Sequence, residues 1–267
     1  MADDNNATDV GSGELRSTTE PRKGIIPGRT FIVKTVQYSD IDGEAIFEGD
    51  IVLGTVEQMD KAYKEISASD NVQETLKAVF ISGSQFRWPD GVIPFRIDPG
   101  LPSQQRVMDA IAHWHSRTPI RFIPRTQEDD FVTFRRAVNV CSSAIGRQTN
   151  EQFVNVGDNC ATGNIIHELG HTVGLWHEQS REDRANFITI DLTNVLPGKE
   201  HNFNQHVVDG DDIGPYDYGS IMHYSAFAFA LDATKPTIIT PHGEAIGQRE
   251  ALSDGDVAAV KAVYGFA

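Results

Sequence analysis

His167-Glu168-Leu169-Gly170-His171-Thr172-Val173-Gly174-Leu175-Trp176-His177 places three imidazoles and one carboxylate at spacings that suit one metal ion and an attacked water. His167 and His171 are four apart, so on a helix of about 3.6 residues per turn they leave one face about 40° out of register and can share an ion. Glu168 is held beside them. Gly174 can adopt a left-handed conformation and end the helix, letting the chain double back and bring His177 in as a third ligand. Three protein ligands leave one position of a tetrahedral zinc open, which is the catalytic pattern; structural sites close all four and favour cysteine. With five fixed positions at about one in twenty each, the pattern arises by chance in a chain of this length about once in ten thousand, so a surface helix that merely happens to carry histidines is set aside.

The same long pattern, completed by a downstream Met-turn, belongs to the metzincin class of zinc proteases. A candidate turn is Tyr216-Asp217-Tyr218-Gly219-Ser220-Ile221-Met222-His223-Tyr224. There Met222 can supply an apolar floor under the metal and the Tyr224 phenol can reach the ion. Alone this segment would read as core packing; the upstream histidines reverse that reading.

Several separate stretches make the chain resemble the astacin family of zinc endopeptidases. The zinc helix continues as His177-Glu178-Gln179-Ser180-Arg181-Glu182-Asp183-Arg184, and Ser220-Ile221-Met222-His223-Tyr224 matches the family's turn. Trp88-Pro89-Asp90-Gly91-Val92-Ile93-Pro94-Phe95 looks like the start of the family's catalytic domain. Ile120-Arg121-Phe122-Ile123-Pro124-Arg125-Thr126 looks like the strand after its first long helix, and Gly247-Gln248-Arg249, Leu252-Ser253 and Asp256 resemble its C-terminal end. The resemblance runs from about residue 79 to the last residue. Most members have a cysteine where this chain has Pro119, and the partner cysteine near the C-terminus is also missing, so the C-terminal helix is expected to be attached by apolar packing.

The resemblance implies an α+β fold: a two-lobed catalytic domain with a mixed sheet and the zinc helix, preceded by a small pro-segment. It divides the chain into a disordered tail over 1–24, an inhibitory pro-segment over 25–78 and a catalytic domain over 79–267. Phe47-Glu48-Gly49-Asp50-Ile51 resembles the motif by which the family's pro-segments place an aspartate on the zinc. A carboxylate oxygen ligates zinc at about 2 Å, and Gly49 lets the backbone approach closely. An ion held by Asp50 in this way is barred from activating water, so the precursor is expected to be latent, with cleavage near Lys77 to Phe80 by an activating protease. The freed N-terminus is then expected close to Glu178, making that residue structural. By similarity Cys141-Ser142-Ser143-Ala144 is the edge strand on which an extended peptide substrate pairs, with Ser142, Ser143 and Ala144 as substrate-binding residues.

The expected chemistry is peptide hydrolysis with one Zn2+ per chain. Zinc lowers the pKa of its water toward 7, and Glu168 acts as general base and passes the proton to the leaving amine. The resemblance implies that Tyr224 is an ion ligand at rest and swings off to donate to the oxyanion. Two alternatives remain open at this point: a zinc-binding protein without chemistry, and a protease of a sister metzincin family. A structural site has no use for Glu168, and a sister family leaves Tyr224 unexplained.

At 267 residues and 39 % hydrophobic the chain can bury one generous core. No run of eighteen apolar residues occurs, so no membrane span is expected. The net charge of −15 argues against a nucleic-acid partner. The partners expected are protein or peptide substrates, and the enzyme is expected to be a monomer. Cys141 and Cys160 are the only cysteines. They read as one disulfide worth about 3 kcal/mol by loop entropy, or as two buried thiols, and the resemblance favours the disulfide. An oxidised pair points to a secreted protein, yet Met1 to Lys23 is polar and acidic with no apolar h-region, so this segment is not the signal peptide.

Local patterns predict a strand over Thr30–Tyr38, a short helix over Asp60–Ile66, and a helix from Leu101 capped by Ser103 with Val107, Ala110, Ile111 and Trp114 on one stripe. Strands are predicted over Ile120–Ile123 and Phe131–Ala137, the second alternating, and helices over Thr162–Val173 and Asp254–Tyr264. His113 and His115, two apart, read as surface or packing residues, and His223 as a turn residue. His201, His206 and His242 show no ligand spacing.

Overall fold

The computed structural model describes residues 20–26, 34–67, 84–138, 140–206 and 212–266. Four short N-terminal strands come first: β1 (Arg22–Ile26), β2 (Lys34–Ile41), β3 (Glu44–Phe47) and β4 (Ile51–Thr55), followed by helix α1 (Val56–Ser67). Then come β5 (Val92–Ile97), α2 (Gln105–Arg117), β6 (Arg121–Pro124), β7 (Phe131–Arg136), β8 (Cys141–Ser143), β9 (Glu151–Val156) and α3 (Thr162–Val173). Beyond α3 the chain is mostly irregular, with the two-residue strands β10 (Thr189–Ile190) and β11 (Ile238–Ile239), and it closes on α4 (Asp254–Tyr264). This is the α+β architecture expected, with α3 and α4 at the predicted bounds.

One mixed sheet runs β1-β2-β3-β4-β8-β9-β7-β5-β6. The N-terminal segment is therefore no separate module. Its antiparallel meander extends the sheet of the following domain by the parallel pairing of β4 on β8, with Ile51 opposite Ser143. Three sequence expectations shift here. Arg22–Gly24, assigned to the tail, belong to β1, which pairs with β2 over five residue pairs. The strand predicted to start at Thr30 starts at Lys34 in the described residues, and the short helix begins four residues early, at Val56. Residues 1–19 and the expected cleavage stretch Lys77–Phe80 lie outside the described residues.

The main core lies between the sheet and helices α2 and α3. Val107, Ala110, Ile111 and Trp114 of α2 are buried against it as the stripe predicts. Ser103 does not cap that helix: it has φ +52° and the helix starts two residues later. In β7 the first four residues are all buried rather than alternating: Val132 and Phe134 face the core, while on the other face Arg96 and Arg125 lie over the Phe131 ring and Thr133 bonds Arg96 and Glu151. Two buried indoles tie α3 in place. Trp88 Nε1 donates to Thr172 O at 2.9 Å and Trp114 Nε1 to Ile166 O at 3.1 Å.

Cys141 and Cys160 form a disulfide across 19 residues, joining β8 to the start of α3. With no cysteine at Pro119, α4 is held by more than the apolar packing expected. Val257, Val260, Tyr264 and Phe266 do pack on the core, but Tyr264 also donates to Val173 O at 2.9 Å, and Asp256 accepts from Ser220 and Ile221.

Candidate active site

Helix α3 is buried along almost its whole length, so its polar side chains must find partners inside the protein. It begins with Asn164 turning back to Ala161 N–H at 3.0 Å and ends at Gly174, φ +116°, a backbone that L side chains rarely adopt. Gly174 N–H bonds Gly170 O and His171 O, and the chain then reverses to carry His177 back over the helix. The turn predicted from Gly174 is present.

Three imidazoles meet one carboxylate. His167 Nε2 lies 3.2 Å from Asp50 Oδ2, His177 Nε2 lies 3.2 Å from Asp50 Oδ1, and His171 Nε2 lies 3.6 Å from Asp50 Oδ1. Asp50, His167, His171 and His177 are all buried, with one ligand atom of each within 4.8 Å of the others. On its far side each ring is fixed. His167 Nδ1 donates to Ile221 O at 2.8 Å, His171 Nδ1 to Leu175 O at 2.9 Å, and His177 Nδ1 to Glu48 Oε2 at 2.9 Å. A carbonyl or carboxylate oxygen can only accept, so each Nδ1 carries a proton and each Nε2 faces Asp50.

This donor set fits a zinc ion. Four ligands each about 2.0–2.1 Å from a tetrahedral centre stand about 3.3 Å apart, close to the spacings observed. Asp50 Oδ1 and His171 Nε2 are buried and have no hydrogen-bond partner among the described residues, a cost that coordination would remove. The electrostatics differ from ring to ring. Burial by itself would lower the His177 pKa, but Asp50 and Glu48 outweigh it and hold the ring up at about 9, so without an ion this ring is protonated and coordination would release its Nε2 proton. His167 and His171 are pushed down, chiefly by burial, so they stay neutral and able to ligate.

Around the cluster, Glu168 is buried next to His167, and Met222 packs against α3 at Gly170. Tyr224 is fully buried with its ring 4.6 Å from that of His177, but its hydroxyl donates to Glu48 O. In this state the phenol is engaged by the N-terminal segment. Glu178 sits behind the turn, accepting from Asp217 N–H at 2.8 Å, and burial pushes its carboxyl up to about 7. His113 and His115 are packing groups: their Nε2 atoms accept from Leu252 N–H at 3.0 Å and Phe122 N–H at 2.9 Å. His223 is a turn residue bonded to Tyr216 Oη at 2.7 Å.

Sequence reasoning missed Glu48. It is wholly buried at φ +47°, and its carboxylate accepts from His177 Nδ1, from Ser180 Oγ at 3.1 Å and from His206 Nε2 at 2.8 Å. Burial would raise its pKa, but His206 and His177 hold it down at about 2. His206 also stacks on Trp176 at 3.9 Å between ring centres, and Phe47 meets both rings edge-on. The positive φ at Glu48 and Gly49 makes the tight turn between β3 and β4 that aims Asp50 at the histidines. A sequence signal existed only in the adjacency of Glu48 to Asp50.

Strand β8 does not lie at an edge as expected. Ser143 N–H donates to Asp50 O at 3.0 Å, and β4 covers its outer side. The side chains of Ser142 and Ser143 are buried on opposite faces of the sheet, Ser142 Oγ accepting from Asn155 Nδ2 at 2.8 Å and Ser143 Oγ bonding Thr172 Oγ1 of α3 at 2.9 Å.

Residues 80–265 match the peptidase family described as Astacin. Human Tolloid-like protein 1 is 38 % identical over 188 residues, covering 66 % of this chain and 19 % of that protein. Bone morphogenetic protein 1 of Xenopus laevis is 32 % identical over 270 residues, covering 87 % of this chain and 38 % of that protein. The chain thus spans well under half the length of these relatives. Among solved structures, high choriolytic enzyme 1, a hatching enzyme zinc-protease from the medaka fish Oryzias latipes, matches with a TM-score of 0.61 and 30 % identity, over 72 % of this chain and 99 % of that one.

Proposed function

The chain belongs to the astacin family, and from that premise we propose that it is a zinc-dependent endopeptidase, secreted and held in this structure in a latent precursor form. The observation that supports this reading best is the convergence of three Nε2 atoms on Asp50 while every Nδ1 is committed to an acceptor. His167, His171 and His177 would hold the ion, with Asp50 as fourth ligand in the precursor. Zinc bound there supplies a coordinated water of pKa near 7 and polarises the carbonyl of the peptide bond. Glu168 takes the proton of the attacking water and delivers it to the leaving amine. Tyr224, once Glu48 has left, turns its phenol to the oxyanion. Met222 floors the site.

Residues 25–78 act as the inhibitory segment. Asp50 denies water its place, Glu48 engages His177 and Tyr224, and β4 occupies β8, where an extended substrate would pair. Cleavage near Lys77–Phe80 removes all three, and the new N-terminal ammonium is accommodated by Glu178, whose carboxyl burial pushes up to about 7 even with Arg181 Nε at 3.6 Å.

The test is casein hydrolysis before and after limited trypsin treatment, with trypsin then quenched, in the presence and absence of a chelator and for wild type and Glu168→Gln. Processed wild type is expected to hydrolyse casein and to lose this with chelator, while Glu168→Gln keeps one zinc per chain and loses at least about a hundredfold in turnover. Activity indifferent to chelator, or a Glu168→Gln enzyme near wild-type rates, would overturn the reading.

A further inference from the structure

The backbone of Ile221 is held on both sides of its Cα. Its carbonyl accepts from His167 Nδ1 at 2.8 Å and from an Arg249 guanidinium nitrogen at 2.9 Å. Its N–H donates to Asp256 Oδ2 at 3.0 Å, and the neighbouring Ser220 hydroxyl donates to Asp256 Oδ1 at 2.7 Å. Ser220 Oγ accepts in turn from Met222 N–H at 3.0 Å. Asp256 sits in the first turn of α4, 5 % exposed, and with Ser253 it also makes the capping box of that helix.

A cap requires only that Asp256 reach Ser253 N–H, which it does at 2.9 Å. The bonds to Ser220 and Ile221 go beyond capping. Those through Ser220 form an unbroken line from carboxylate to imidazole across the peptide that joins Ile221 to Met222: Asp256 Oδ1, Ser220 O–H, Met222 N–H, Ile221 C=O, His167 Nδ1. Carboxylates commonly bond metal-ligating histidines directly, fixing the ring and raising the basicity of the ligating nitrogen. Here a hydroxyl and a peptide lie between, and polarisation along a hydrogen-bond chain carries the same sense of charge.

We propose that Asp256 is a positioning residue for the metal site, orienting His167 through the Ser220 hydroxyl and the Ile221–Met222 peptide. The proposal rests on the reading of His167 as a zinc ligand. It makes the last helix of the chain part of the site's support, in a protein where no disulfide ties that helix down.

The test uses the full chain and two metal readouts: zinc affinity by chelator competition and the visible d–d spectrum of the Co2+-substituted protein. Asp256→Asn is expected to weaken zinc about tenfold and to shift the cobalt bands. Ser220→Ala, which spares the cap, is expected to weaken zinc by a smaller factor. It decides the matter if Asp256→Asn does not fold. Ser253→Ala removes the cap but leaves Asp256 on the turn, and is expected to lower Tm by a few degrees with zinc affinity and cobalt spectrum unchanged. Unchanged affinity in both Asp256→Asn and Ser220→Ala overturns the proposal, as does an equal loss in Ser253→Ala. Wild type that binds no zinc would overturn the metal reading itself, a distinguishable result.

Discussion

A buried histidine has to satisfy two nitrogens, and the three at this site do so by giving Nδ1 to a main-chain or carboxylate oxygen and reserving Nε2 for the centre of the cluster. His201 shows what happens without such an arrangement. It is 5 % exposed, and its Nε2 has no hydrogen-bond partner among the described residues. Burial, and after it the neighbouring Lys199 charge, lower its pKa to about 4 from 6.5. The folded value lies below the unfolded one, so the unfolded chain binds more protons between them. The stabilisation is therefore complete above about pH 6.5 and is lost as pH falls toward 4, by on the order of 3 kcal/mol when the ring is fully charged. His201→Gln is expected to flatten the fall of Tm between pH 7 and 4.5 relative to wild type. Acid effects common to both proteins cancel in the comparison of slopes, so parallel curves would show that His201 contributes nothing.

At the scale of elements, the fit of α3 to the Met-turn depends on the absence of one methyl group. A Cβ on Gly170 would stand 2.5 Å from Met222 Sδ and 3.2 Å from its Cε, and Met222 is too buried to swing away. Gly170→Ala thus sets two effects against each other: helix propensity favours alanine by up to about 1 kcal/mol, and overpacking costs about 1–3 kcal/mol. The clash is expected to win, with lower Tm and weaker zinc binding, since His167 and His171 flank the strained contact. A raised Tm would mean that the turn can retreat. Such helix-to-turn contacts were out of reach of the sequence, whereas the helix ends were not. Thr162–Val173 and Asp254–Tyr264 are bounded by local signals, Gly174 and the Ser253 cap, and local signals survive folding. Ser103 failed as a cap because a favourable residue type says nothing of its φ, and β7 failed to alternate because burial on both faces is a property of the sheet, not of the strand. The ligand histidines were legible because their spacing lies within eleven residues of one helix and turn. The partners of Glu48 were not, since Ser180 and His206 stand 132 and 158 residues away in the chain.

Across the whole molecule, one sheet is assembled from two stretches of chain, and β4 stands where the two meet. Take away β1 to β4 and β8 becomes the edge of a five-stranded remainder, with unpaired main-chain groups beside the histidine cluster. Latency on this reading has two components that mutation can separate. Asp50→Ala removes the carboxylate from the cluster but leaves the pairing of β4, the apolar contacts of Phe47 with Trp176 and His206, and the Glu48 hydrogen bonds. The uncleaved Asp50→Ala protein is therefore expected to hydrolyse a short fluorogenic peptide measurably where wild type does not, yet to remain at least about tenfold below its own cleaved form, because the edge is still covered. Adding Glu48→Ala releases His177, Ser180 and His206 together, loosens the turn whose carbonyl holds the Tyr224 phenol, and is expected to close most of that gap. Both uncleaved variants should bind one zinc per chain, which ties any silence to occlusion and not to an empty site. Equal latency of uncleaved wild type and Asp50→Ala, with zinc bound in both, would rule out the aspartate as a switch; full activity of uncleaved Asp50→Ala would rule out the strand as a barrier.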